Sequence, residues 1–392
     1  MSFYPGLSES SVSLVNYSFY MVNYIQKTYF EFIVENECVD HVRFDFLSEN
    51  EMITDTYIYE NQLPNGGNMS FENGTIIHSF TKTGSSSIRF DKEHLIEYFI
   101  VGGGGAGGSA YQYSGGGGGA GGVVKGFKNA ASGNHTVYIG SGGKASSSRD
   151  SGSENGESSY FDDITAYGGG RGGSGLSTSL GTIAPQNGGS GGGGGAQVNG
   201  RTYSGGISVS NQGHNGGNGL LHNTDETLQG GGGGGGAGSS GMDGMSTKGG
   251  DGGNGIFYNS RWYAGGGGGG RRSTGMISSG GSSVGGNGGA NTDANSAIQS
   301  TGSGGGGAGG TLTKYSKGGN GASGIVLIQY NCSSFNITFN KYIHQGNYLI
   351  NVSLSAQNKT IKRTSFPIII TQYTFSKQSK RMPVFFLMIF VQ

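Results

Sequence analysis

The sequence predicts a mainly β protein with little α-helix, in which short β-strands flank a glycine-rich core of packed poly-glycine II helices. Three observations support this fold class. Glycine accounts for 86 of the 392 residues, whereas a typical chain has roughly 7% glycine. Short aliphatic and aromatic segments interrupt the glycines, which a flexible linker does not require. Most of the glycines lie between His94 and Tyr330, where consecutive runs recur at 102–105, 115–119, 191–195, 230–236, 265–270 and 304–307.

Three structures compete to explain these runs. A collagen helix requires glycine at every third position and abundant proline, and it is excluded because the glycines are consecutive and there are only five prolines. A flexible linker fits Ser/Gly/Asn-rich pieces such as 276–303 but not the anchored runs. Poly-glycine II helices make no internal hydrogen bonds, yet side by side they can satisfy one another's N–H and C=O groups. Runs of four to seven glycines would span about 12 to 22 Å at roughly 3.1 Å per residue.

Residues 1–65 are predicted to form a small β module, or an extension packed on the glycine-rich domain. Alternating apolar and polar residues there indicate half-buried strands. The breakers in 62–68 (Gln-Leu-Pro-Asn-Gly-Gly-Asn) indicate a turn or linker. The predicted strands are Ser11–Tyr24, Thr28–Val34 and Val42–Phe46.

Residues 66–330 are predicted to form the glycine-rich domain. The apolar run Leu95–Val101 opens it and Gly324–Tyr330 closes it. Further β-prone segments lie before and between the glycine runs: Thr75–Phe80, Ser87–Phe90, Val123–Phe127, Thr136–Gly140, Ile164–Gly168, Gly255–Tyr258 and Trp262–Ala264.

Residues 331–392 are predicted to form a strand-rich tail, with strands at Phe335–Phe339, Tyr348–Leu354 and Ile368–Phe375. Its end is basic over Lys377–Arg381 and then apolar over Pro383–Val391. An added strand pair, a partner-docking tail and an artefact of gene prediction all remain open for this end.

Charge, cysteine content and the termini limit the function classes. The chain has 24 Lys and Arg against 24 Asp and Glu, which is unlike a nucleic-acid-binding protein. Two cysteines exclude a disulfide-rich scaffold; separate thiols are favoured over a Cys38–Cys332 bridge. We expect no transmembrane segment, because Pro383–Val391 is half the necessary length. Met1–Gly6 does not resemble a signal peptide; an extracellular, cell-surface or virion-exposed location is favoured, and the compartment stays open.

Several segments resemble the glycine-rich domain of phage tail-fibre adhesins, with similar domains in protist and giant-virus proteins. A more distant resemblance is to the glycine-rich extracellular region of the anaplastic lymphoma and leukocyte receptor tyrosine kinases. The resemblance covers roughly residues 70–330 and implies a packed poly-glycine II core flanked by strands, with recognition residues on loops and no catalytic residues. It rests on the segments Tyr98–Gly105, Gly117–Gly126, Thr136–Gly143, Ser158–Gly170 and Gly324–Tyr330.

Known catalytic and cofactor motifs are missing from the sequence. Gly117-x-Gly119-x-x-Gly122 fits a kinase glycine-rich loop by chance, since the other kinase segments are lacking. Gly143-Lys144-Ala145 lacks the hydroxyl of a phosphate-binding loop, and the seven histidines have no metal-ligand spacing. We therefore expect no enzyme activity, no cofactor and no metal.

The predicted ligand-contact residues are aromatics and arginines in glycine-flanked loops, because such side chains bring large contact areas at modest entropy cost. The alternative for several of them is packing against the ends of the glycine helices, and this is favoured for Trp262 and Tyr258. The candidates are Tyr111, Tyr113, Arg171, Tyr203, Tyr258, Arg261, Trp262, Tyr263 and Arg271.

The sequence favours a non-enzymatic scaffold for surface recognition or adhesion that displays loops to a carbohydrate or protein ligand. The alternatives are a structural or self-assembling component of a fibre, wall or virion, and an ectodomain-like fragment related to receptor kinases. RNA binding through glycine-flanked Arg171 and Arg271-Arg272 is a weaker alternative, and no nucleic-acid partner is expected. Eight Asn-x-Ser/Thr triplets permit glycosylation in a secreted protein but do not establish secretion; they begin at Asn16, Asn68, Asn73, Asn134, Asn331, Asn336, Asn351 and Asn358.

Overall fold

A computed structural model describes residues 11–22, 25–35, 41–47, 52–60, 63–72, 75–148, 152–176, 183–196, 203–220, 229–272, 275–311, 313–332, 335–342, 346–356 and 359–370. Within these ranges the only helical segment is a 3-10 turn at Gly281–Ser283, so the predicted mainly β fold with little α-helix is confirmed. The strands are β1 (Ser11–Val22), β2 (Ile25–Glu35), β3 (His41–Leu47), β4 (Ile53–Glu60), β5 (Asn68–Glu72), β6 (Thr75–Phe80), β7 (Gly84–Phe90), β8 (His94–Val101), β9 (Val123–Ala130), β10 (Gly133–Ile139), β11 (Ser159–Phe161), β12 (Ile164–Ala166), β13 (Ile256–Tyr258), β14 (Arg261–Tyr263), β15 (Ile325–Asn331), β16 (Phe335–Tyr342), β17 (Gly346–Ala356) and β18 (Lys359–Ile370).

The strands form five sheets, in the orders β1-β2-β16, β18-β17-β3-β4, β5-β6-β15-β8-β9, β12-β11-β10-β7 and β13-β14. The chain divides into two compact units. Unit 1 comprises Met1–Leu63, Ser70–Ile77 and Tyr330–Gln392, and unit 2 comprises Pro64–Met69 and His78–Gln329. The three-segment domain boundaries predicted from the sequence stay a prediction.

Unit 1 contains a β-sandwich, because the sheets β1-β2-β16 and β18-β17-β3-β4 share one hydrophobic core. Alternation along β3 turns Val42, Phe44 and Phe46 inward. Phe339 of β16 lies near the middle of this core, with its ring centroid 5.1 Å from that of Phe44 and 4.1 Å from that of Tyr57. The sandwich is therefore held together mainly by aromatic packing.

In unit 2, three neighbouring strands continue directly into glycine segments. β8 pairs with both β9 and β15, so that Val101 lies opposite Val123 on one side and Ile325 on the other. At these residues β8 leads into 102–108, the segment 115–122 leads into β9, and the segment 318–324 leads into β15. The sheet therefore sets the relative positions of three glycine segments at once.

The glycine segments hydrogen-bond to their neighbours with a period of three residues. In residues 102–108, successive N–H groups donate to three different segments, and every third one returns to the same segment. This is the pattern expected of helices with three residues per turn and no internal hydrogen bonds. The donors and acceptors are Gly102 to Gly122, Gly105 to Gly119 and Gly108 to Gly116; Gly103 to Glu157 and Ala106 to Glu154; and Gly104 to Ala322 and Gly107 to Gly319.

The segment 115–122 lies at the centre of the bundle. Its N–H groups donate to three segments, and its carbonyls accept from three others, with N···O distances of 2.7–3.0 Å. Six neighbours around one helix correspond to hexagonal packing. Segments 302–308, 167–173 and 232–235 accept its hydrogen bonds, and segments 102–108, 190–196 and 267–270 donate to it.

Close packing of the backbones requires glycine in this bundle. A Cβ added at Gly117 would lie 2.0 Å from the carbonyl oxygen of Gly267, and one added at Gly118 would lie 2.1 Å from that of Gly105. Backbone atoms on all sides leave no room for such a Cβ to be accommodated by a side-chain movement. Alanine occurs where the bundle meets the sheet, at Ala120, in the cluster around Phe99.

At the perimeter of the bundle, side-chain oxygens replace the missing neighbouring helix. They accept main-chain N–H groups from the adjacent segment at 2.7–3.1 Å, so that donors without a neighbouring helix are still satisfied. Asn and Asp supply most of these acceptors. The pairs include Asn187 with Ile207, Asn218 with Gly205, Asp243 with Asn218, Asn287 with Gly280, Asp293 with Lys317 and Asn320 with Ala145.

The structure corrects two expectations about the extent of regular structure. The linker interpretation of 276–303 is wrong for part of that range, because Gly286 and Gly289 donate to Gly304 and Gly307 within the bundle. β18 begins earlier than the predicted strand Ile368–Phe375, of which 371–375 lie outside the described residues.

Proline and charged residues obscured β18 in the sequence. Pro367 lies within β18, which is the terminal strand of its sheet and therefore tolerates proline.

β4, β5 and β11 were not predicted. In β4 the burial pattern does not follow hydrophobicity, since the aliphatic Ile58 is exposed while Tyr57 and Tyr59 pack against the core.

The favoured interpretation of two separate thiols is wrong for Cys332, which is disulfide-bonded. Cys38 lies outside the described residues.

We predict that Gly118→Ala destabilises the protein by about 3 kcal/mol or more, because the new Cβ overpacks a site bounded by backbone. The matched control is Gly152→Ala, whose nearest atoms are the ends of the Ile183 and Arg171 side chains at 3.0 and 3.1 Å. We expect that variant to stay within about 1 kcal/mol of the wild type. Urea unfolding of both variants measures the difference, and equal shifts would contradict the packing described above.

Candidate functional site

The hairpin β13–β14 brings together four of the predicted ligand-contact residues. Its two-residue turn, Asn259-Ser260, has positive φ at both positions, 42° and 60°, as in the type I′ turns that match the twist of paired strands. Across the hairpin, Phe257 pairs with Trp262 and Tyr258 pairs with Arg261. Alternation therefore gives the hairpin an inner and an outer face.

The inner face packs against the sheet. The ring of Tyr258 stacks on that of Phe99, with centroids 4.2 Å apart and planes within 5°. The ring of Tyr263, which is 4% exposed, lies 5.2 Å from the same phenylalanine. Because Phe99 belongs to β8, which continues into the bundle, the hairpin is attached to the most rigidly packed part of unit 2.

Hydrogen bonds hold the turn end of the hairpin to the strands beneath it. The Tyr258 hydroxyl donates to Glu97 Oε1 at 3.0 Å, and Gln329 Nε2 donates to Glu97 Oε2 at 2.7 Å. Asn259 Nδ2 donates to Gln329 Oε1 at 3.0 Å. Burial and the adjacent Glu97 carboxylate raise the pKa of the Tyr258 phenol, so Tyr258 remains a hydrogen-bond donor at neutral pH.

The outer face presents an aromatic pair to solvent. Phe257 is 58% exposed and Trp262 is 41% exposed, and their ring centroids lie 5.2 Å apart at an angle of 60°. Arg261 is also exposed; its guanidinium lies 5.5 Å from the centroid of the Tyr263 ring and donates to the carbonyl of Gln299 at 3.2 Å. The two rings form the exposed surface that we call the hairpin face; by alternation Arg261 belongs to the opposite face, with Tyr258 and Tyr263.

The remaining candidates lie on other segments of unit 2. Tyr113 is 6% exposed, with the Arg272 guanidinium 5.7 Å from its ring centroid, and Tyr111 and Tyr203 are half-buried. Two arginines pack along the bundle: the guanidinium of Arg171 donates to the carbonyl of Ser153, and that of Arg271 donates to Thr247. As ligand contacts, all nine residues stay predictions.

Sequence reasoning missed Phe257, although its signal was present. Phe257 and Trp262 flank a two-residue Asn-Ser turn in the segment Phe-Tyr-Asn-Ser-Arg-Trp, and this spacing places the two rings opposite each other on one face.

A cluster of metal-ligating side chains was not found in the part of the chain that the structure describes. No helix among the described residues has the length and apolar character needed to cross a membrane.

A second hairpin, β11–β12, carries a charged cluster at its turn, Asp162-Asp163. Lys128 Nζ lies 3.2 Å from Asp162 Oδ2 and 2.9 Å from Asp163 Oδ1, and His135 Nδ1 lies 2.8 Å from Asp162 Oδ2. The Thr136 N–H donates to Asp162 Oδ1 at 3.0 Å. Burial raises the pKa of the Asp162 carboxyl, but the hydrogen bonds from His135, Lys128 and Thr136 outweigh burial and hold that pKa below its usual range.

Comparison with known families yields one match. A sequence profile described as a glycine-rich domain matches residues 81–331, more than half of the chain. The matched region begins just before β7 and ends with β15, and it includes the bundle and both hairpins. No curated protein matches the sequence. The predicted resemblance to a glycine-rich domain is confirmed, whereas the narrower resemblances to phage adhesins and receptor kinases stay predictions.

We predict that Asp162→Asn lowers the stability at pH 7 by about 1–3 kcal/mol, because it removes the charged acceptor of three hydrogen bonds. Since the folded-state pKa of Asp162 lies below its unfolded-state value, the stabilisation is present above the unfolded-state pKa and is lost as the pH falls through the folded-state pKa. The wild type and the variant should therefore converge in acid.

Urea midpoints of both proteins, measured from pH 7 down to about pH 2, test whether their stabilities converge. The control is Asp163→Asn, which changes a neighbouring carboxylate that is 84% exposed and should shift the midpoint less at every pH. A difference in urea midpoint between Asp162→Asn and the wild type that stays constant across this pH range would contradict the lowered pKa of Asp162.

Proposed function

The chain belongs to the glycine-rich domain family, and on that premise we propose that it is a non-enzymatic recognition scaffold whose hairpin face binds a carbohydrate or protein ligand. The observation that carries this proposal is the Phe257–Trp262 pair, which leaves large ring surfaces in solvent. Phe257 and Trp262 expose adjacent rings rather than a single one, and aromatic side chains supply much of the binding energy at recognition surfaces.

The rigid attachment of the hairpin supports a binding role. Tyr258 and Tyr263 fix its inner face on Phe99, and Glu97 fixes its turn. A surface that is already ordered loses little conformational entropy when a ligand binds. The glycine bundle contributes to function in this way: it holds a small aromatic surface at a defined position.

The chemistry of the hairpin fits a neutral or acidic saccharide. The C–H-rich face of a sugar ring packs well against an aromatic ring, and the exposed guanidinium of Arg261 can donate hydrogen bonds to hydroxyl or carboxylate groups. The disulfide at Cys332 supports a surface location, since such bonds persist mainly in oxidising compartments.

We predict that Trp262→Ala and Phe257→Ala each weaken saccharide binding about tenfold or more, which corresponds to about 1.4 kcal/mol. A saccharide microarray of the full-length protein identifies the ligand, and titration calorimetry measures the affinity of each variant. Phe127→Ala is the control, because Phe127 is a 71% exposed aromatic on β9, outside the hairpin. All three variants should keep the wild-type circular dichroism spectrum.

Two results would argue against this function, and a third would decide between the two ligand classes. Binding that persists unchanged in both hairpin variants would contradict the location of the site. Binding to a protein but to no saccharide would identify the other ligand class. Concentration-dependent assembly in sedimentation, without binding of any ligand, would instead favour the structural alternative.

A further inference from the structure

The Asn-x-Ser/Thr triplets are distributed unevenly along the chain. None of the thirteen asparagines between residues 140 and 330 lies in such a triplet, although Ser and Thr are abundant there. Of the sixteen asparagines outside that range, eight do. The triplets thus lie outside residues 140–330, the range that contains most of the glycine segments of the bundle.

Packing explains why the bundle lacks these triplets. Asn187, Asn215 and Asn287 are each followed by two glycines, so a triplet would require a hydroxyl residue at the second glycine. A Cβ at Gly189 would lie 2.0 Å from the N atom of Gly122, and one at Gly217 would lie 2.0 Å from the Met242 carbonyl oxygen. The bundle therefore excludes the hydroxyl residue that the modification needs.

In the β regions the geometry is the opposite. Asn134 and Thr136 of β10 are both exposed, and so are Asn336 and Thr338 of β16. Residues two apart on a strand share one face, so the amide and the hydroxyl of each triplet face solvent together. The residue between them points inward in β16, where Ile337 is fully buried.

The other triplets are less accessible or lie outside the described side chains. The Asn331 Oδ1 atom accepts a hydrogen bond from the Thr75 hydroxyl, and the Asn351 Oδ1 atom accepts one from Ser365. Asn68 and Ser70 are exposed on β5. At Asn134 and Asn336 an exposed asparagine and an exposed threonine lie within one strand of seven or eight residues.

We propose that Asn134 and Asn336 are N-glycosylated in the oxidising compartment that the Cys332 disulfide indicates. In this reaction the asparagine Nδ2 attacks the anomeric carbon of an oligosaccharide carried on a lipid diphosphate. A C–N bond forms, the anomeric C–O bond to phosphate breaks, the lipid diphosphate leaves, and a base of the transferase takes one Nδ2 proton. The attached glycans project from exposed strand faces while the bundle stays bare.

The test is to secrete the full-length chain from eukaryotic cells behind a cleavable leader and to map its glycans by peptide mass spectrometry. Digestion with an amidase that converts glycan-linked asparagine to aspartate identifies each site. We expect conversion at Asn134 and Asn336. Thr136→Val and Thr338→Val keep each asparagine and the shape of its neighbour, and each should abolish one glycan.

Asn129 provides an internal control. It is exposed on β9, close to Asn134 in sequence, but is followed by two alanines, and it should remain unmodified together with the thirteen asparagines between residues 140 and 330. Unmodified Asn134 and Asn336 in the secreted wild-type chain would overturn the proposal, whether or not the valine variants fold. The outcome does not depend on ligand binding by the hairpin face.

Discussion

A main-chain N–H in a three-fold glycine helix has no acceptor in its own helix, and the structure of unit 2 depends on this constraint. Each donor must find a carbonyl on a neighbouring helix. Every third donor bonds to the same neighbouring segment, as Gly102, Gly105 and Gly108 do with the segment 115–122. Helices that bond in this way must approach closely, which excludes side chains from the interior. Consecutive glycine, hexagonal packing and the Asn and Asp acceptors at the perimeter are consequences of that one requirement.

The same constraint explains how a protein with so few buried apolar side chains in its centre can support a precise surface. The bundle cannot position itself by side-chain interdigitation, since it has almost no side chains. Its register is instead set by the sheet, where Val101, Val123 and Ile325 lie side by side before their strands become glycine segments. The β13–β14 hairpin packs on that sheet through Phe99, so the apolar cluster that sets the register also orients the hairpin face.

The sequence predicts the parts of this molecule in which side chains carry a pattern, and it fails where they do not. Aromatic and β-branched runs identify most strands, and consecutive glycines indicate the three-fold core. Which glycine segments are neighbours could not be predicted, because Gly118 and Gly305 have nearly identical sequence surroundings but different positions in the bundle. At the candidate site, Trp262 and Tyr263 are adjacent aromatics with opposite exposure, which only the packing on the sheet determines. Phe257 was different, because its spacing from Trp262 across a two-residue turn carried the signal.

The direction of the hydrogen bonds in the bundle has a mechanical consequence. They run across the helix axes, between segments, and none runs along a single helix. A pulling force along the axis therefore loads many transverse bonds in shear at the same time, and a segment such as 115–122 cannot lengthen by opening turns one after another as an α-helix does. Its helices are already nearly extended, so they can lengthen only slightly. A single glycine helix within this bundle therefore resists lengthening under tension.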